Sequence, residues 1–326
     1  MQIGVHLGHW EKEPNDVVDL ARETESLGLD SVWVSETWGS DGVALASAIA
    51  SGTERIGIGT GILQMPGRTP AMAAMSALTI DHLSGGRFRL GLGVSGPQVV
   101  EGWHGQAFDD PLGRTREYVE IVRSVLERKE PLTAPGPHYP LPIGDGRPLV
   151  ANVRPRRADV PIYLAAMGPR NVALAVEIAD GWLPLFFSPD HVDAFELPPL
   201  PEGFDVAPMV RVAIDDDIAV ARDALRPTIA LYVGSFGSRG VNFYRDLVAR
   251  FGFADAAAAI QEAALDGRRD DATAAVPDEL IDSVALVGPP GAIRDRLGAF
   301  EAAGVTTLLA HTSDLGTIRA LAEVAP

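Results

Sequence analysis

Short runs rich in β-branched and apolar residues open at Ile3 (IGVHLG), Ser31 (SVWVSE), Arg55 (RIGIGTGI) and Arg87 (RFRLGLGV), and each leads through a loop into a helical pattern. The spacing, roughly 24 to 32 residues, suits one strand, one helix and two loops, which is the βα unit of a parallel sheet. The helices are legible in the same stretch. Pro14 sits where a first helical turn tolerates it, and Val17, Val18, Leu20, Ala21, Thr24 and Leu27 then recur near a period of 3.6 until Gly28 stops the pattern. Residues 71–82 repeat the arrangement, with Pro70 before them and Gly85-Gly86 after.

Beyond the fourth strand the rhythm loosens into a loop at 96–112, a helix at 113–128 and a Pro-rich stretch at 131–161. It returns with IYLAAM from Ile162, a helix from Pro169, GWLPLF from Gly181 and VAPMVRVAI from Val206. A largely helical stretch containing the alanine-rich run 254–264 follows, and Gly304 introduces VTTLLAH before a terminal helix. Eight candidate strands in βα order predict one domain over 1–326, a single (β/α)8 TIM barrel with insertions after strands 4, 5 and 7. A doubly wound sheet is the alternative. At 46% hydrophobic and 22% charged, the chain can bury an ample core.

The formal net charge of -17 argues against a general nucleic-acid binder, which gains affinity by neutralising phosphates with clustered basic residues. With no cysteine there can be no disulfide, thiolate metal site or cysteine nucleophile. Neither a basic-plus-apolar leader nor a run of about 18 apolar residues is present, so the expectation is a cytoplasmic protein outside the membrane. His6 and His9 invite a metal reading, but a catalytic zinc site wants three protein ligands and no third is identifiable, so no metal is expected. The run Asp215, Asp216, Asp217 reads as solvated.

Residues 91–96, GLGVSG, match the Gly-x-Gly-x-x-Gly pattern of a dinucleotide-binding loop. That mechanism needs a helix opening directly after the glycines, and the next expected helix starts only near Gly113. Three βα units also precede the motif. The third strand carries Gly57, Gly59 and Gly61 at period two, so two neighbouring strands have stripped faces. Glycines so placed mark a bulge or the close approach of another group, here expected to be something large and flat against the strand ends.

The combination of VSET from Val34, GTGILQMPGRTP from Gly59, DHLSGGRFRLGLGVSGP from Asp81, GRTREYVEIVR from Gly113 and PIYLAAMGPRNVALAVEIADGWL from Pro161 resembles the bacterial luciferase-like family of (β/α)8 oxidoreductases. Within it the sequence looks most like the branch using the deazaflavin coenzyme F420, and less like the FMN branches. The resemblance implies hydride transfer between the deazaflavin and a small organic substrate; the alternatives are an FMN-dependent monooxygenase and a non-catalytic flavin-binding member. It implies a ring lying across strand three, at a bulge with a cis peptide bond at Gly61-Ile62. The implied cofactor set is Glu36, Thr60, Gly61, Ile62, Val94, Ser95, Gly96 and Gln98, with a phosphate loop after strand five at Ala166, Met167, Gly168 and Arg170. Independently, Gly168 permits close backbone approach and Pro169 opens a helix whose amides favour an anion.

Where the sugar-phosphate dehydrogenase branch has a catalytic histidine after the acidic residue, this chain has Thr37. Catalytic candidates are therefore His9, Glu36 and His6, with His104 added by position. Trp38, Trp103 and Trp182 either form an aromatic wall or fill the core, with the wall favoured for Trp38 only, and Arg154, Arg156 and Arg157 read as a solvated face, with the acidic tail of a deazaflavin as the alternative. A homodimer is the expected assembly.

Overall fold

The structure, a computed structural model, describes residues 1–8, 17–237 and 240–325. A strand stands at each of the eight predicted places: Gln2–His6, Ser31–Val34, Gly57–Thr60, Phe88–Gly93, Ile162–Leu164, Gly181–Trp182, Met209–Ile214 and Thr307–His311. Two more, Leu63–Gln64 and Ala285–Gly288, have no counterpart among the predicted strands, and a third, Asp205–Val206, splits off the start of the strand predicted from Val206. The chain divides into two compact units, one of His6–Ala165 and Leu174–Leu183, the other of Met1–Val5, Ala166–Ala173 and Pro184–Pro326.

In the first unit the strands from Ser31, Gly57, Phe88, Ile162 and Gly181 lie side by side in chain order, all parallel. A parallel pair needs a crossover, and helices Gly42–Gly52, Pro70–Leu83 and Pro111–Glu127 follow successive strands as βα units require. The local signals are conventional. Thr69 caps the Pro70–Leu83 helix by accepting the Met72 N–H, and Asp110 caps Pro111–Glu127 through the Gly113 N–H. Trp33, Phe88, Tyr118 and Trp182 are wholly buried in this core. This sequential order differs from the reversed order of a doubly wound dinucleotide fold.

One expectation is overturned here. A six-residue helix, Pro97–Gly102, opens directly on Gly96, whose carbonyl accepts the Val99 and Val100 amides. Pro97 supplies the preset φ of a first helical residue, but so short an element leaves no apolar period to read. The following helix begins at Pro111, two residues before the predicted start.

Helix Val17–Ser26 ties itself to the third strand through Glu25, whose carboxylate accepts the amides of Glu54, Arg55 and Ile56. Burial by itself would raise the Glu25 pKa, but these amides hold it below the usual carboxylate range. A depressed folded-state pKa stabilises the protein above the unfolded value and is lost as pH falls through the folded one. Glu25→Gln is expected to cost about 1.5–3 kcal/mol at neutral pH. Its unfolding free energy should also fall less than wild type's on acidification below about pH 4.3. Urea unfolding at pH 7 and pH 3 measures both, and parallel curves for the two proteins would contradict the account.

In the second unit the strands from Ala285, Met209, Thr307 and Gln2 are neighbours in that order, with parallel ladders on both sides of Met209–Ile214. Among the described residues, the α-helices Ile218–Ser235, Phe243–Val248, Ala254–Leu265, Arg269–Ala274 and Asp278–Val284 and a π-helical turn, Ala249–Phe253, stand between Ile214 and Ala285. They stand where the sequence places extra chain after strand seven. The aspartate run begins it: Asp217 accepts the Ala219 amide as N-cap and donates its own amide to Asp215. An insertion after strand five is not found, because only helix Pro169–Ile178 stands between Leu164 and Gly181. The extra chain follows strand six instead, where a 3-10 turn, Val192–Phe195, precedes strand Asp205–Val206. No helix among the described residues is long and apolar enough to cross a membrane.

Candidate functional site

The third strand does not run straight into its neighbour. Gly59 pairs with Arg89, and the next pairing is Leu63 with Leu92, so four steps on one strand face three on the other. That extra residue makes a bulge, and within it the Gly61-Ile62 bond is cis, as the resemblance implied. Three hydrogen bonds fix the bulge. The Gly61 amide donates to Val34 O at 2.7 Å, the Glu36 amide donates to Ile62 O at 3.1 Å, and His6 Nε2–H donates to Gly61 O at 2.8 Å. Because a carbonyl can only accept, the last bond requires the His6 proton on Nε2.

Glu36 is buried and accepts from four donors: the Gly42 amide (3.1 Å), the Gln64 amide (3.0 Å), and Arg68 through Nη1 (2.8 Å) and Nη2 (2.6 Å). A carboxylate offers about four lone-pair sites, so this one is saturated. Burial would push the Arg68 guanidinium down, yet the Glu36 bonds hold it above its ordinary value. The bidentate pair thus ties the chain after the bulge to the end of the second strand. A free acid/base role for Glu36 does not survive this geometry, and neither Arg68 nor Gln64 was among the predicted site residues. Gln64 continues the network by accepting the His104 Nε2–H at 2.6 Å.

The glycines divide into two kinds. A Cβ at Gly59 would meet the Trp33 indole at 2.2 Å, and one at Gly91 would meet the Thr60 carbonyl oxygen at 1.7 Å. The flat group expected over the third strand is, at Gly59, the protein's own tryptophan. Trp33 is held there by its Nε1–H bond to Ser31 Oγ and by edge contact with Tyr163. Thr60 is wholly buried, its hydroxyl donating to Gly91 O and accepting the Gly91 amide, so it presents nothing to a ligand. Gly96 differs: a Cβ there would have no atom within 4 Å. Gly93 lies below Ile62 and Ala165, whose side chains would touch its missing Cβ at 3.0 and 3.5 Å. Ile62, Val94, Ser95, Gly96 and Ala165 all keep part of their surface open, Ser95 in the left-handed region with φ 62°, and Gln98 is exposed.

In the second unit, the predicted phosphate loop runs into helix Pro169–Ile178, with Gly168 O accepting the Asn171 and Val172 amides. A Cβ at Gly168 would touch nothing within 4 Å. Ala166 is buried, Arg170 is exposed, and the Met167 carbonyl accepts from Arg250 Nη2 at 3.0 Å. Arg250 brings a guanidinium to this loop from 83 residues away, with no local sequence signal to announce it.

His9 lies outside the described residues. Trp182 is core, while Trp38 and Trp103 are exposed. Arg157 spans Asp81 and the Phe88 carbonyl at the start of a strand, far from the strand's C-terminal end, which makes it a structural brace. A cavity of about 480 Å³ between helix Pro70–Leu83 and residues 141–153, lined by Met75, Leu78, Val125, Leu132 and Leu149, contains none of the predicted site residues.

The model of the luciferase-like monooxygenase family matches residues 1–307. A Mycobacterium tuberculosis protein provisionally named a coenzyme F420-dependent oxidoreductase is 42% identical, over 99% of this chain and 99% of its own. The structure resembles the coenzyme F420-dependent tetrahydromethanopterin reductase of Methanopyrus kandleri with a TM-score of 0.81 at 24% identity, covering 99% and 97% of the two chains. It also resembles an F420-dependent secondary alcohol dehydrogenase solved with an F420-acetone adduct, with a TM-score of 0.78 at 20% identity over 100% and 98%.

Proposed function

Because the chain belongs to the luciferase-like monooxygenase family, we propose that it is a coenzyme F420-dependent oxidoreductase that transfers hydride to or from a small organic molecule on a (β/α)8 scaffold. The observation that carries this reading is the bulge at Gly61-Ile62 with open surface beside it at Ile62, Val94, Ser95 and Gly96. The space above Gly96 suits a flat ring, and the open backbone at Gly168 suits a phosphate. The deazaflavin, when bound, supplies a hydride carrier that reacts poorly with oxygen.

The chain's own residues do the rest. Gly61, Ile62, Val94, Ser95, Gly96 and Gln98 are assigned to the ring, and Ala166, Met167, Gly168 and Arg170 to the phosphate, with Arg250 added. Glu36 and Arg68 act on the site by holding the bulge in place. His6 is a positioning residue through its bond to Gly61 O. His104, half-buried and oriented by Gln64, is the group assigned to proton transfer, since its second ring nitrogen can exchange a proton while Nε2 stays bonded.

Anaerobic titration of the purified protein with coenzyme F420 and with FMN, followed by fluorescence and absorbance, tests the assignment. F420 is expected to bind at least tenfold more tightly. Tight FMN binding with oxygen consumption would replace this reading by a monooxygenase, and F420 binding without turnover of any alcohol, ketone or enone would leave a binding protein.

A further inference from the structure

Strand Met209–Ile214 presents a cation, Arg211, that no carboxylate among the described residues answers. Val210 and Val212 are buried on one face, while Arg211 on the other keeps part of its surface open. Arg211 is paired with Ala285 on one side and His311 on the other, so ladders hold its backbone on both edges. Its guanidinium lies 5.7 Å from the Tyr232 ring centroid. Burial disfavours its charge, and Tyr232 is the group that offsets this. Other arginines of the same unit, Arg222, Arg226 and Arg296, each bond an aspartate. Among the described residues Arg211 makes no such pair.

Further aromatic rings pack around Tyr232. Tyr232 stacks on Phe236 at 4.6 Å and meets Tyr244 edge-on at 5.0 Å, and Phe186 closes on both tyrosines at 5.9 and 5.6 Å. Burial raises the Tyr244 hydroxyl far above its ordinary value, yet Tyr244, Phe236 and Arg211 all retain accessible surface. Arg211 is thus a part-buried guanidinium at the edge of an aromatic cluster that still meets solvent at Phe236 and Tyr244. A guanidinium there is costly without a partner, and the rings that exclude water strengthen its attraction for one.

We propose that Arg211, with Tyr232 and Tyr244, forms an anion-recognition site for a carboxylate or phosphate borne on an apolar or aromatic molecule. The site deepens the F420 reading, on which it rests for the identity of its occupant: the anion belongs to the substrate or to the coenzyme's own acidic tail. The guanidinium fork meets two oxygens of a planar or tetrahedral anion at once, and the surrounding rings accept the apolar body.

Calorimetric titration of the wild-type protein with benzoate, phenylphosphate and neutral benzyl alcohol tests the site without any variant. At least one anion is expected to bind tenfold or more tightly than benzyl alcohol. In Arg211→Gln that ratio should fall to about one, with an unchanged circular dichroism spectrum. Equal binding of benzyl alcohol and the anions, or binding of none of the three, would overturn the proposal. Coenzyme F420 and a deazaflavin lacking the phosphate tail then separate the two sources. If the variant weakens F420 alone, the anion is the coenzyme's; if it leaves both unchanged, the anion is the substrate's. Failure of F420 to bind the wild type would end the cofactor reading while leaving the benzoate and phenylphosphate result intact.

Discussion

Exchange of Glu36 for alanine is expected to destabilise the protein by about 3–5 kcal/mol, the range for breaking one side of a buried ion pair. Four donors lose their acceptor at once. The Arg68 side chain is only 13% exposed, so water cannot readily replace the lost carboxylate. Glu36→Gln should be little better, because its amide group turns a donor toward a guanidinium that has only donors. Removing both charges, in Glu36→Leu with Arg68→Leu, is expected to cost less than Glu36→Ala alone. Denaturant unfolding measures all three, and a loss below about 1 kcal/mol for Glu36→Ala would reduce the pair to the worth of a surface salt bridge. F420 affinity should fall with the same substitution, since the carboxylate ties the segment after the bulge to the second strand.

Gly91→Ala and Gly96→Ala, five residues apart in one motif, are expected to have opposite effects. At position 91 the new methyl would sit 1.7 Å from the Thr60 carbonyl oxygen and 2.8 Å from a Leu183 methyl. The Thr60 hydroxyl bonds both backbone groups of Gly91, so the strands cannot separate without losing those bonds. A cost beyond about 4 kcal/mol, or no folded protein, follows. At position 96 the backbone φ of -111° accepts alanine and the methyl meets nothing. Stability should change by no more than about 0.5 kcal/mol, while F420 binding should weaken at least tenfold because the methyl fills the open space beside Ser95. Thermal melts and F420 fluorescence titration read both outcomes. A normal Gly91→Ala melt would remove the close-packing account, and full F420 affinity in Gly96→Ala would remove this motif from the cofactor site.

The strands were legible because parallel, buried strands are written as short apolar runs between turn residues, and each of the eight can be read without knowing its neighbours. Helix Pro97–Gly102 escaped because six residues are too few for a period to show. The family resemblance located the bulge at Gly61-Ile62, but nothing within ten residues of Glu36 in the chain reveals that Gln64 and Arg68 will consume its oxygens. Arg250 on the Met167 carbonyl and Arg211 against Tyr232 are equally silent in the sequence.

The sequence by itself determined the βα order and the family pattern, since each depends on residue types at short, fixed spacings, and the family resemblance in turn implied the place of the bulge. Only the tertiary structure decided what each glycine and each charge is for. Gly59 serves the Trp33 indole and Gly91 the Thr60 backbone, whereas Gly96 faces open space, although all three read alike in the chain. Glu36 is a clamp because a buried carboxylate takes its role from the donors that reach it. Those donors come from chain segments that only the fold brings together.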